Sequence, residues 1–211
     1  MKKEVLTRKK RAFRRLLVLA AAAVLLGGLT GYCFLPIQAL WRAADQLDME
    51  QVRVIKRFYA PKDLRSFLSV NYLAESEDAM LLCSVQGSVG GWGSGKKSRV
   101  EIWEDSPAHA GLWRDSGDEG DTYWLFGRMK EKPTAMNLYY REQVDLVTHR
   151  ISIEVPVEHL FQGEDGTWYL LSQVDRIWME QESVEGYFGG PRRFGLFLSR
   201  NGEELADIAV Q

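Results

Sequence analysis

Apolar and polar positions follow three successive patterns along this chain. From Leu16 to Leu35 it reads LLVLAAAAVLLGGLTGYCFL, twenty residues without a charge. At 1.5 Å per residue a helix of that length covers about 30 Å, the thickness of a hydrocarbon core. Arg14 and Arg15 close the run on one side, and Pro36 ends it on the other by disfavouring helix in the residue before it. Tyr32 and Phe34 stand where interfacial aromatics belong. The pattern predicts a transmembrane helix over 16–35. Over 37–58 the apolar positions recur at threes and fours: Ile37, Leu40, Trp41, Ala44, Leu47, Val52, Ile55 and Phe58, with Asp45, Asp48 and Glu50 opposite. That spacing predicts an amphipathic juxtamembrane helix within a segment 36–63 that breaks at Ala60-Pro61-Lys62-Asp63. Packing on the domain is the expected role of such a stripe, with a stalk or a partner-pairing helix as the alternative.

Beyond residue 63 the runs become short and are separated by Gly, Asp and Ser turns. Strands are expected around Phe67–Leu73, Ala79–Val85, Arg99–Trp103, Thr122–Gly127, Ala135–Tyr140, Thr148–Val155, Thr167–Leu171, Arg193–Ser199 and Glu204–Ala209. Ala79-Met-Leu-Leu-Cys-Ser-Val85 is dense enough for a central strand. Asn201-Gly202 between two alternating runs marks a hairpin, because both residues tolerate positive φ. Eight to ten short strands make residues 64–211 a mainly β domain, a sandwich or a barrel.

Charge orients the chain. Eight basic residues and one acid, Glu4, lie in the first fifteen positions, a basic tail over 1–15. Of 27 basic and 29 acidic residues, this leaves 19 and 28 over 16–211, about −9. The positive-inside rule puts the N-terminus in the cytoplasm and the domain outside the cell membrane. An uncleaved single-pass signal-anchor is favoured because the apolar run continues through Leu29, Tyr32 and Phe34; a cleaved signal peptide is the competing reading. Acylation of Cys33 would want a small residue before it, where Tyr32 stands. The expected partners are membrane lipid, through the N-terminal helix, and a protein of the membrane or envelope. Nucleic acid, whose phosphates need Lys and Arg, is not expected of an acidic domain.

Candidate chemistry is sparse. Gly90 to Lys96 satisfies G-x-x-x-x-G-K, but Lys97 stands where Ser or Thr must hold Mg²⁺, and a strand follows instead of a helix. A flexible loop between strands is the expectation there. Asp115-Ser-Gly-Asp-Glu-Gly-Asp121 lacks the spacing of a calcium loop and reads as a solvated acidic turn. His109, His149 and His159 have no ligand spacing, and no G-x-S-x-G elbow occurs. No cofactor, metal or catalytic residue is assigned. Cys83 is expected as a buried thiol, and its separation from Cys33 by the membrane boundary argues against a disulfide. Trp103, Trp124 and Trp168 fall in strand patterns and are expected in the core. Trp92 and Trp113, read as loop residues, and the Tyr187-Phe188 loop are the candidate ligand- or partner-binding positions.

Three stretches carry a resemblance: the Cys83 strand running into Gly91-Trp92-Gly93, Thr122-Tyr-Trp-Leu-Phe-Gly127 with Thr134-Ala-Met-Asn-Leu138, and Leu196-Phe-Leu-Ser-Arg-Asn-Gly202. Over residues 64–209 the chain resembles uncharacterised single-span exported proteins of Gram-positive bacteria with an immunoglobulin-like β-sandwich. The resemblance implies a fold and a non-catalytic extracytoplasmic interaction domain, and carries no functional residues across. Val155-Pro-Val-Glu-His-Leu160 followed by Asp165-Gly-Thr-Trp-Tyr169 is similar to a β-hairpin of efflux-pump adaptor subunits. It implies the alternative of an envelope sensor or accessory subunit of a membrane complex. A divergent enzyme is the remaining alternative.

Overall fold

A run such as Ala79–Val85 has no polar face and needs cover on both sides. The computed structural model describes residues 10–22, 33–59, 69–88, 91–117, 120–144, 147–175, 178–179 and 194–211, without the side chains of 115–120 and 141–149. It builds three antiparallel sheets. The first holds β1 (Arg53–Phe58), β2 (Ser69–Glu75), β3 (Ala79–Ser88) and β4 (Gly91–Glu101) in sequence order. The second contains β5 (Ala108–Gly117), β6 (Gly120–Met129), β9 (Leu160–Gln162) and β10 (Trp168–Val174), ordered β5-β6-β10-β9. In the third are β7 (Ala135–Val144), β8 (Val147–Glu154), β11 (Phe194–Arg200) and β12 (Glu203–Ala209), ordered β12-β11-β7-β8. Helix α1 covers 10–22 and helix α2 covers Pro36–Asp45.

The alternation of side chains assigns the layers. On β3, Ala79, Leu81, Cys83 and Val85 face Ala39, Leu40, Ala43 and Ala44 of α2, while Met80 and Leu82 face Trp113, Phe126, Tyr169 and Leu171 of the second sheet. The other face of the second sheet, with Ala110, Leu125, Leu170 and Val174, packs on Met136, Leu138, Leu196 and Leu198 of the third. The order is therefore α2, first sheet, second sheet, third sheet, and the middle sheet is buried on both faces. A mainly β fold with sandwich packing is what the strand rhythm predicts; the third layer is additional to it.

Several expectations are corrected. Helix α2 ends at Asp45, and 53–58 is strand β1, not the second half of a juxtamembrane helix. Asp48 and Gln51 take φ of 54° and 50°, which no helix accommodates, and β-branched Val54 and Ile55 then suit a pleated edge. The packing of α2 on the domain is as expected. The Gly-rich stretch is not a loop: β3 and β4 stay paired out to Ser88 and Gly91, and Lys97 reaches Gln46 Oε1 at 2.6 Å. Cys33 and Cys83 are both free thiols, yet both lie in the apolar cluster around α2. Among the described residues no helix is long and apolar enough to cross a membrane. Helix α1 covers only the start of the expected span, and residues 1–9, 23–32 and the break at 60–63 lie outside the described residues. The β11–β12 turn is as expected, with Asn201 and Gly202 at φ of 53° and 87°.

One polar network ties the first sheet to the second. Glu75, with 8% of its side chain exposed, accepts from Arg53 Nη2 at 2.5 Å and from the Tyr169 hydroxyl at 2.7 Å, with Arg128 Nη1 at 3.8 Å. Arg53 Nη2 also donates to Asp165 Oδ2 at 2.7 Å. Its guanidinium holds the Asp165 carboxyl below the usual carboxylate range, while burial and the Glu75 carboxylate raise the Tyr169 phenol.

Gly111 of β5 sits at a close approach to the first sheet: a Cβ there would stand 2.3 Å from Val100, and 2.8 Å from Phe126 of the neighbouring strand. Gly93 of β4 has nothing within 4 Å of the same position. Gly111→Ala should therefore cost about 1–3 kcal/mol in denaturant unfolding, as overpacking does, and Gly93→Ala should leave the midpoint within about 0.5 kcal/mol.

Candidate functional site

The second and third sheets face each other, and among the described residues they are hydrogen-bonded to each other at one side. There Gln211 N donates to Ala110 O, Leu112 N donates to Gln211 O, and Val210 bridges Ala110 in parallel. On the opposite side, among the described strands, edge strand β8 of the third sheet lies unpaired beside β9–β10 of the second. β9 pairs only with Trp168, Tyr169 and Leu170, so among the described strands residues 171–174 of β10 are paired on one side alone. This gap is a groove of about 470 Å³. Ile153, Glu154, Val155 and Pro156 form one wall, Ser172, Gln173 and Val174 the other, and Asp175 and Trp178 close one end.

Each wall follows from local chemistry. Pro156 cannot donate to a ladder, so β8 stops at Glu154 and the chain turns through a 3₁₀ turn, Val157–His159, into β9. The hairpin expected between Val155 and Tyr169 is present as β9–β10. Asp175 Oδ1 accepts from the Trp178 backbone N–H at 3.0 Å, which sets the turn that carries the indole. The Trp178 ring leans on Tyr140 and Phe194, with centroids 5.8 and 6.1 Å away. Glu154 and Asp175 are exposed, and among the described lining residues none is Lys or Arg.

At the floor, Ser172 Oγ lies 2.7 Å from His159 Nδ1. The serine is 2% exposed, whereas the histidine faces solvent. A hydroxyl bonded to an imidazole is the first element of a nucleophile–base pair. No acidic side chain is paired with His159 among the described contacts. No motif pointed to this pair: the two residues lie thirteen positions apart on an ordinary turn and strand.

The expected binding residues are distributed differently. Trp92 stands on β4, half-buried against the α2 cluster, and its N–H donates to Cys33 O at 2.8 Å. Trp113 is on β5, 3% exposed between the first and second sheets, where it offers no accessible ring. Conversely Trp103, expected in the core, is 60% exposed because β4 ends at Glu101. Tyr187 and Phe188 lie outside the described residues. Among the described residues no cluster of His, Cys, Asp or Glu could hold a metal ion. Asp121 pairs with Arg114.

Cys83 is buried, and its thiol is pushed up to about 12, the environment of an inert structural thiol. His109 is also buried, its Nε2 lying 3.1 Å from Trp103 O, and burial holds its pKa below the usual histidine range with help from Arg128 and Lys130. The unfolded chain therefore takes up this proton at higher pH than the fold. Stability should be full above about pH 6.5 and fall as the pH drops below it, and His109→Gln should flatten that part of an unfolding-against-pH profile.

No family model, no curated protein and no solved structure matched the chain.

Proposed function

We propose that this chain is a membrane-anchored, non-catalytic interaction protein. Its N-terminal segment holds it in a lipid bilayer with the basic tail on the cytoplasmic side, and its stacked-sheet domain meets a protein partner outside. The carrying observation is the surface of α1. Phe13, Leu16, Leu17, Val18 and Leu19 are each 54–69% exposed, apolar side chains spread round the helix that continue in sequence into the uncharged run. Water does not favour such a surface, and lipid does. The immunoglobulin-like reading is assigned to the second and third sheets, which share one core and exchange strands over long returns. The groove between them is the binding place, and the exposed Glu154 and Asp175 that line it suit a basic or neutral segment of the partner.

A second reading, hydrolysis at Ser172 with His159 as base, draws on their 2.7 Å contact. Near-complete burial of the serine weighs against it.

In bacterial cells the full chain should stay in the membrane through an alkaline carbonate wash, and protease added to spheroplasts should digest the domain. Replacing Leu19 and Val24 by Arg should release it into the wash. Release of the unaltered chain would remove the anchor from the reading. Turnover of a p-nitrophenyl ester that disappears in Ser172→Ala would replace the binding role with the hydrolytic one.

A further inference from the structure

The first residue of the domain described after α1 is Cys33. It is 7% exposed, sits in the cluster between α2 and the first sheet, and its carbonyl accepts from Trp92 N–H at 2.8 Å. The uncharged run begins at Leu16, so a span that stops before this fixed point has residues 16–32, seventeen residues, the short end of what crosses a bilayer. No residue is left over for a stalk. A span this short draws the residues that flank it toward the interface.

Those residues suit it. Of the large apolar side chains exposed on the domain, Phe34 (40%), Leu35 (56%) and Trp41 (54%) fall within eight positions of one another, directly after Cys33. Trp41 and Arg42 lie on the outward face of α2, whose inward face carries Ala39, Leu40, Ala43 and Ala44. Trp is favoured at the headgroup level, where its ring is in apolar surroundings and its N–H is wet. Lys97 of β4, which reaches Gln46 Oε1 at 2.6 Å, adds a positive charge beside the end of α2. Resting on the anchor reading above, we infer that the outer face of α2 lies on the membrane surface. The occupant of the Phe34–Leu35–Trp41 patch is then the lipid headgroup layer, and the domain docks flat through α2 with the third sheet pointing away.

The full chain reconstituted in vesicles of phosphatidylcholine and phosphatidylglycerol tests this. An environment-sensitive fluorophore is placed at Trp41→Cys, and for comparison at Ser152→Cys, an exposed position on edge strand β8 of the third sheet. Headgroup-spin-labelled lipid should quench the label at 41 at least threefold more than the label at 152. A second pair of variants carries Trp41→Asp or Leu35→Asp with the label at Asp45→Cys, an exposed position of α2, whose quenching should fall as the face lifts off. Equal quenching at 41 and 152, in vesicles that keep the protein through an alkaline wash, overturns the docked orientation and leaves the anchor standing. Loss of the protein in that wash overturns both.

Discussion

The fold turns on the placement of one carboxylate. Glu75 ends β2 with its side chain aimed into the second sheet, where Arg53, Tyr169 and Arg128 surround it. Two sheets whose facing side chains are Leu, Met, Phe and Trp could slide over each other at small cost, since apolar contact has no direction. A buried carboxylate held by an arginine and a phenol fixes their relative position. The phenol is fully buried while Arg53 has 48% of its side chain exposed, so the directional hold rests more on Tyr169 than on the solvent-screened arginine. The middle sheet, trapped between two apolar cores, inherits that position, and the groove on its far side inherits it in turn.

Legibility in the sequence followed burial. Strands whose sides are plainly apolar or plainly alternating, β3, β6, β11 and β12, could be placed within three residues, and β7 starts where expected but runs four residues further. β5 could not be placed, because Ala108-His-Ala-Gly-Leu carries small and polar residues at the close approach to the first sheet. Small residues are what such an approach requires, and they erase the hydrophobic signal. β1 was hidden differently. Val52, Ile55 and Phe58 also satisfy helical spacing, and only the left-handed residues Asp48 and Gln51 separate the two readings. The exchange of roles between Trp103 and Trp113 has the same origin, since one missed strand and one overlong strand moved each indole to the wrong side of the surface.

The groove was illegible for a different reason. Its walls come from β8 and β10 and its end from Asp175 and Trp178, and no local pattern announces that two sheets hydrogen-bonded at one side leave a groove at the other. The serine–histidine contact at its floor depends on that tertiary closure as well. What could be read was the hairpin that supplies one wall, through the similarity of Val155–Leu160 and Asp165–Tyr169 to a β-hairpin of efflux-pump adaptors.

The order of strands also sets a timetable for folding. Every pairing in the first sheet joins neighbours in sequence, β1 with β2, β2 with β3 and β3 with β4. The pairings of β6 with β10 and of β7 with β11 close much longer stretches of chain and carry a larger entropy cost before any contact repays it. The first sheet with α2 is thus the fast-forming half, and the second and third sheets mature on it. Exposed β10 and β8 edges during that interval are where misassembly between molecules would begin.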